Sequence, residues 1–459
     1  MRRIRAERRE RMVTIALLLT GDLQEAQMAQ TYLRENYREA EYERIFVYCG
    51  EDAAAVELLD EDPSAVLFDG RGAGIAASCN AALQYARGEE ILFSAASYVL
   101  MPAALRAMQR EAAGRDGVSL VVPMLQSPVG VDETQKLSAA QDAPYQDAQG
   151  LRHFSEEISL RRGASFLSIA LDFCFLAERQ ALLELGGFSK EFHTTPFLTI
   201  DLCLRFWQAD RPCLAAHGAF AHRNALNIPF DLLDEEAFVR KYGLHYPYSF
   251  MSRTDLLAHM DLKKPALSVL EVGCACGATL LAVRNANPEA RIYGIEFDEK
   301  AAAVARHFAA VEALDVETLD KPEWCGMFDW ILLGDVVEHL REPWQAMKNL
   351  AALLKPGGRV LVSVPNVMHF SVFRMMLDGH WTYEDAGILD RTHLRFFTRA
   401  ELLLLLQEAG LEAEEVFPSK MPESDADLAF IAQLAALLPP DVGEEELHAF
   451  QWKVAARKR

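Results

Sequence analysis

The residues best equipped for chemistry lie in the second half of the chain. The run SVLEVGCACGATL sets Glu271, Gly273, Cys274 and Gly277 between an apolar, strand-like stretch and the apolar start of a helix. Glycine lets a backbone pass close to a ligand, and the unpaired amides at the following helix N-terminus offer donors to it. The spacing is E-x-G-x-x-x-G, with Ala275 where a dinucleotide fingerprint has its middle glycine, so nothing marks a pyrophosphate cradle. About twenty residues on, RIYGIEFD ends a second strand with Glu296, a carboxylate placed to accept both hydroxyls of a ribose. Either feature alone reads as a tight turn or a solvated acid. Together they point to a nucleoside-bearing ligand.

Two histidines could take a proton from a hydroxyl. His339, in GDVVEHL, follows a strand at the edge where doubly wound sheets put their ligands. His393 closes the run Asp390-Arg391-Thr392-His393, where a carboxylate three residues away is expected to orient it. The plain alternative for each is a side chain that caps or packs a loop. His369 follows a further strand in VPNVMHF, and HWTYEDAGILDRTH gathers aromatic, acidic and basic residues into an insert expected to wall the site. His369, His380 and His393 can also be read as metal ligands. No i, i+4 pair on a helix supports that, and no metal is expected.

The elements that must position these residues form an α/β series: ALSVLEVG, RIYGIEFD, FDWILLGD and GGRVLVSVPN, with helical patterns between them. The last strand-like run, AFQWKVAARK, suits an edge strand laid antiparallel on that sheet. Ahead of this series, residues 13–222 alternate apolar runs (VTIALLLT, RIFVYCG, AVLFDG, ILFSAAS) with helical segments, which implies a parallel sheet covered by helices. A polar stretch over 127–152 reads as a surface excursion, and 231–242 and 252–260 read as connecting helices. The expected organisation is a disordered basic terminus (1–12), a first domain (13–223), a helical linker (224–264) and a second domain (265–459).

Bulk properties agree with two soluble α/β domains. The 459 residues are 51% apolar and 25% charged, the balance of globular protein. A formal net charge of −21 repels phosphate backbones and anionic lipid, which argues against nucleic-acid binding. The one basic cluster, MRRIRAERRER, carries two Glu and no aromatic and reads as a solvated terminus. The apolar run that follows it falls far short of the ~20 residues needed to cross a bilayer, so no stable membrane insertion is expected. Eight scattered cysteines with no C-x-x-C pair suit reduced thiols in a cytoplasm.

VLEVGCACG, YGIEFD, FDWILLGDVVEHL, LKPGGRVLVSVPN and GILDRTHLRFFT together resemble the class I S-adenosylmethionine (SAM)-dependent methyltransferases, over residues 264–410. The resemblance implies a Rossmann-like fold and SAM as cofactor. It also implies that the glycine turn accepts the methionine portion, that the acid after the second strand binds ribose, and that an acid beside the third strand lies near adenine. Glu271, Gly273, Gly277 and Glu296 fall on those positions, with Cys274 inside the turn. Asp315 matches the adenine-side acid, and Asp335 faces the same crevice. Methyl transfer is an in-line displacement, so the protein mainly positions the nucleophile and removes its proton, the task assigned to His339 or His393.

The first domain resembles family 2 glycosyltransferases of the GT-A fold, through residues 72–105 and the run TIDLCLRFWQ with its AHR ending. That family holds a metal-bound sugar nucleotide with an aspartate-rich D-x-D and uses an acid before the DLCLR run as base. Here Ser94-Ala95-Ala96-Ser97 and Leu198-Thr199-Ile200 stand in those places, and serines are poor hard-metal ligands. Asp201 and His222 remain. Asp201 is expected to cap a helix, and the resemblance would put His222 near the diphosphate. The expected function is methylation of an oxygen, or as second choice a nitrogen, of a small-molecule, saccharide or glycan-linked acceptor, with a degenerate glycosyltransferase-like domain that binds acceptor, partner or sugar nucleotide. The alternatives are a bifunctional glycosyltransferase/methyltransferase of surface polysaccharide synthesis and a non-catalytic scaffold.

Overall fold

The computed structural model describes residues 12–115, 117–125, 145, 147–224 and 231–459. The basic terminus apart from Met12, most of the excursion expected over 127–152 and residues 225–230 of the expected linker lie outside the described residues. The chain divides into two compact units, Met1–Ser252 and Arg253–Arg459. Among the described residues no helix is long and apolar enough to cross a membrane, and all eight cysteines are free.

The strands of the first unit are β1 (Val13–Leu19), β2 (Tyr42–Tyr48), β3 (Val66–Asp69), β4 (Glu90–Ala95), β5 (Tyr98–Leu100), β6 (Leu120–Leu125), β7 (Ala164–Phe166), β8 (Cys174–Glu178) and β9 (Cys213–Arg223). Their order is β3-β2-β1-β4-β8-β6-β9-β5, with β7 paired to β9. The expected parallel sheet holds for β3-β2-β1-β4 and for the β6-β9 pair. It fails at β8, antiparallel to β4 and β6, and at β5 and β7, antiparallel to β9. A strand buried on both faces reads as one apolar run in either direction, so composition carries no polarity.

Two further expectations change here. The end of the expected excursion, residues 148–152, opens the helix Ala148–Ile158, which buries Leu151, Phe154 and Ile158. Asp201 caps nothing, because it sits in the middle of the helix Thr195–Gln208. It is fully buried and accepts from Arg205 Nε (2.8 Å), Lys241 Nζ (2.7 Å) and Tyr242 Oη (2.7 Å). The i, i+4 spacing to Arg205 makes it the hub of a structural ion-pair cluster.

The second unit contains β10 (Ser268–Val272), β11 (Arg291–Glu296), β12 (Ala310–Ala313), β13 (Phe328–Gly334), β14 (Leu354–Pro365), β15 (Leu411–Lys420) and β16 (Ala449–Lys458). The order β12-β11-β10-β13-β14-β16-β15, parallel from β12 to β14, is a Rossmann-like doubly wound sheet. Chain order reverses between β10 and β13, and the crevice beyond their C-terminal ends is where such sheets take ligands. The core joins Leu270, Val272, Ile331, Leu333, Val360 and Val362 to the helix residues Met347, Leu350, Leu402 and Leu406.

AFQWKVAARK is antiparallel as expected but is not an edge strand, since β16 lies between β14 and β15 with Trp452, Val454 and Ala456 buried. The edge is β15, LEAEEVFPSK, whose glutamates are rare in strand interiors and disguise it in sequence. Charge on an exposed edge also discourages pairing with other chains. The helix expected over 252–260 shortens to Thr254–Leu257.

Candidate active site

Each side chain around the crevice is placed by the end of one strand. After Val272 the chain turns through Gly273 (φ 68°), Ala275 (φ 45°) and Gly277 (φ 77°) into the helix Ala278–Ala286. A Cβ at Gly273 would lie 2.8 Å from Val336 Cγ2, and one at Gly277 would lie 2.8 Å from Phe308 Cε2 and 2.9 Å from Ala305 Cβ. Both glycines are therefore required twice, by left-handed backbone and by close packing. Glu296 at the end of β11 fixes the turn: Oε2 accepts from the Ala275 amide (2.7 Å) and Oε1 from the Asp298 amide (2.9 Å). Cys274 is buried beneath the turn and its thiol is pushed well up by that burial.

Glu271, inside β10, is 5% exposed, and its Oε2 has no hydrogen-bond partner. Burial raises its carboxyl to about 8, against the pull of a Thr279 hydrogen bond and the Arg253 charge. Such an acid has unused capacity for a cation or donor. Asp315, after β12, caps the turn Val316–Thr318 and accepts from Arg341 Nη2 (2.8 Å). Asp335, after β13, is a non-glycine residue with positive φ (57°). Ser363 Oγ (2.7 Å) and Gln451 Nε2 (3.1 Å) donate to its Oδ1, and Arg253 Nη1 (3.0 Å) donates to its Oδ2. Backbone strain of this kind persists where the surroundings over-determine it, commonly at functional sites. Sequence reading missed Arg253, Ser363 and Gln451, which reach Asp335 from three separate segments.

His339 and His393, 54 positions apart in the chain, meet in space with ring centroids 4.8 Å apart and planes at 74°. The backbone carbonyl of Glu338 explains this, because it accepts from the amides of Leu394 (2.8 Å) and Arg395 (3.0 Å) and ties the segment after β13 to the DRTH run. His339 Nδ1 faces the Thr392 carbonyl (3.3 Å), and burial lowers the pKa of the ring. His393 is oriented by the Ile388 carbonyl, 2.9 Å from its Nδ1, and not by Asp390. The Asp390 carboxylate is occupied by its own turn, accepting from the Thr392 amide (2.7 Å) and hydroxyl (2.6 Å).

Glu338 is the third member of this cluster, with one ligand-type atom from each of the three residues within 4.8 Å of the others. Sequence reading passed over it. The histidines considered as ligands behave otherwise. His369 is a buried N-cap of the helix Phe370–Leu377, and His380 is exposed and outside the cluster.

Residues 242–416 match the family model described as a methyltransferase domain. The ubiquinone biosynthesis O-methyltransferase of Thiobacillus denitrificans is 31% identical over 168 residues, 35% of this chain and 72% of that protein. The chain belongs to the SAM-dependent methyltransferases. The demethylmenaquinone methyltransferase of Bacillus mycoides is 26% identical over 188 residues, 36% of this chain and 78% of its own length. A ubiquinone biosynthesis O-methyltransferase of Dinoroseobacter shibae is 35% identical over 163 residues, 33% of this chain and 64% of its own. Among solved structures, a SAM-dependent methyltransferase of Aquifex aeolicus aligns at 17% identity with a TM-score of 0.32, covering 50% of this chain and 100% of that one.

The methyltransferase unit is an enzyme domain whose cofactor is SAM, and its crevice fits that group. A buried acid with an unused oxygen stands at the strand end, followed by a turn in which two added Cβ atoms would clash and a carboxylate at the next strand end.

Proposed function

We propose that the second unit transfers the methyl group of SAM to a hydroxyl of a small-molecule acceptor. The observation that carries this reading is the meeting of His339 and His393 just past β13, beside the switch point that holds the glycine turn. SAM would lie with its methionine portion over Gly273, Cys274 and Gly277 and its ammonium toward the unused oxygen of Glu271. Glu296 would take the ribose, Asp315 the adenine side, and Asp335 the floor between cofactor and acceptor. When bound, SAM supplies an electrophilic methyl on a sulfonium, so the protein needs to align an oxygen in line with it and take that oxygen's proton. The His339 and His393 pair handles the proton. The insert over 380–393 would wall the acceptor side, with Trp381 and Tyr383 exposed on it.

For the acceptor we propose a saccharide or glycan-linked hydroxyl, on the strength of the glycosyltransferase-like motifs of the first unit. In that unit Asp201 is neutralised by Arg205 and Lys241, and the SAAS run begins in the last two residues of β4, where the family's metal-binding acids would stand. This supports a binding role in preference to sugar transfer. The second reading is a phenolic hydroxyl, favoured by the names of the relatives.

Calorimetric titration with SAM, and separately with UDP- and GDP-sugars with and without manganese, tests the cofactor assignments. The expected result is SAM binding that Glu296→Ala weakens by roughly 1 to 3 kcal/mol. Undiminished binding in that variant overturns the ribose role. Release of S-adenosylhomocysteine in the presence of saccharides but not phenols supports the first acceptor, and the reverse pattern replaces it.

A further inference from the structure

The geometry points to a divalent transition-metal site formed by Glu338, His339 and His393 on the acceptor side of the crevice. The inference uses the hydroxyl-methylation reading for its chemistry, while the binding itself stands on the cluster.

Glu338 is 1% exposed, and neither of its carboxylate oxygens has a hydrogen-bond partner. Leaving a buried acceptor unmade costs about 1 to 3 kcal/mol, and more for a charged one, so a fully orphaned carboxylate calls for a partner. Both imidazoles turn Nδ1 to a backbone carbonyl, His339 to Thr392 and His393 to Ile388. A carbonyl can only accept, and the Thr392 hydroxyl, also 3.3 Å from His339 Nδ1, donates to Asp390, so each Nδ1 carries a proton and the neutral ring keeps its lone pair on Nε2. That is the tautomer and the outer-shell hydrogen bond of metal-ligating histidine. With Nδ1 committed, Nε2 is the nitrogen each ring has left to offer, and one ligand-type atom from each of Glu338, His339 and His393 comes together with the others, a grouping that a bound cation would satisfy. The ligand atoms lie within 4.8 Å of one another. On a tetrahedral ion with bonds of about 2.1 Å they would stand roughly 3.4 Å apart, a closure that side-chain rotation can supply.

The donor set selects the ion. Two imidazoles and one carboxylate suit zinc, cobalt or manganese better than magnesium or calcium, which prefer oxygen. Three protein ligands leave a position open, the pattern of a catalytic rather than a structural site. With both Nε2 atoms on the ion, the histidines would act on the proton through the metal and not as direct bases: an acceptor hydroxyl entering that position would lose its proton to water more readily, and its oxygen would form the new O–CH3 bond. The S–CH3 bond of SAM breaks with its electron pair remaining on sulfur, so a neutral alcohol and cationic SAM yield ether, S-adenosylhomocysteine and one proton. Tying the two segments together through the Glu338 carbonyl serves the same end, because it fixes the position of a ligand pair that sequence leaves distant.

The test uses the full chain freed of metal by chelation and titrated with Co2+, whose visible d–d bands report coordination directly. Nitrogen-ligated bands are expected to saturate at one equivalent. Glu338→Gln, His339→Gln and His393→Gln should each weaken binding about 100-fold or more, the upper end of what even an outer-shell loss costs. His153→Ala, on the exposed surface of the first unit, should leave it unchanged. SAM calorimetry on the same samples separates the two proposals. SAM binding retained while Co2+ binding is lost supports the site, whereas Co2+ binding without SAM binding overturns the methyltransferase assignments and leaves the metal site standing. Equal Co2+ affinity in all three variants, or no binding by wild type, overturns the site. Should a variant misfold, wild type decides: Zn2+ should protect His339 and His393 from diethyl pyrocarbonate, read peptide by peptide, and unprotected labelling overturns the proposal.

Discussion

Replacing Glu271 by Gln should remove a pH dependence of stability that the wild-type methyltransferase unit carries. Burial lifts this carboxyl from an ordinary 4.5 to about 8 in the folded state, so the native protein holds a proton that the unfolded chain gives up. The native state therefore binds more protons between those values, and stability falls as pH rises. The contribution is fully present below about pH 4.5 and is lost by about pH 8. At 1.36 kcal/mol per pH unit the window is worth on the order of 5 kcal/mol. The assay is urea unfolding of the full chain without SAM, from pH 5 to 8.5, followed by tryptophan fluorescence. Trp324, Trp330, Trp344, Trp381 and Trp452 lie in the second unit and only Trp207 in the first, so the signal is dominated by the unit of interest. Glu271→Gln should flatten the profile, making the variant relatively more stable at pH 8 than at pH 5. Parallel profiles would refute the argument. If the ammonium of SAM pairs with this carboxylate, binding at pH 7 should release a proton, seen as a buffer-dependent calorimetric heat.

Two further substitutions test the packing. Gly277→Ala should cost about 1 to 2 kcal/mol for left-handed backbone and a further 1 to 3 for the contacts under 3 Å with Phe308 and Ala305, with SAM affinity falling in parallel. An unchanged denaturation midpoint would disprove that crowding. Asp201→Ala should destabilise the first unit by about 3 to 5 kcal/mol by leaving Arg205 without its carboxylate partner and Lys241 with only its pair to Glu191. If scanning calorimetry finds the loss below about 1 kcal/mol, Asp201 is not the structural hub of its helix.

Local chemistry is readable from the residues alone. Periodicity located β10, β11, β13 and β14, and the glycine turn and Glu296 were legible because strand, turn and acid lie within one short stretch whose physics is local. The two histidines were also legible as residue types able to move a proton. Tertiary structure alone decided what depends on pairing and on distant partners. β8 runs antiparallel because its neighbours β4 and β6 dictate so, and β16 is interior because the glutamate-rich β15 covers it. His393 is oriented by a carbonyl because the Asp390 side chain is spent on its own turn. Glu338 is the sharpest case. In sequence it is one acid beside a histidine, and only the hydrogen bonds from its carbonyl to the amides of Leu394 and Arg395 bring His393 to it. Its burial then leaves both carboxylate oxygens without a partner, a fact of desolvation that no linear pattern encodes.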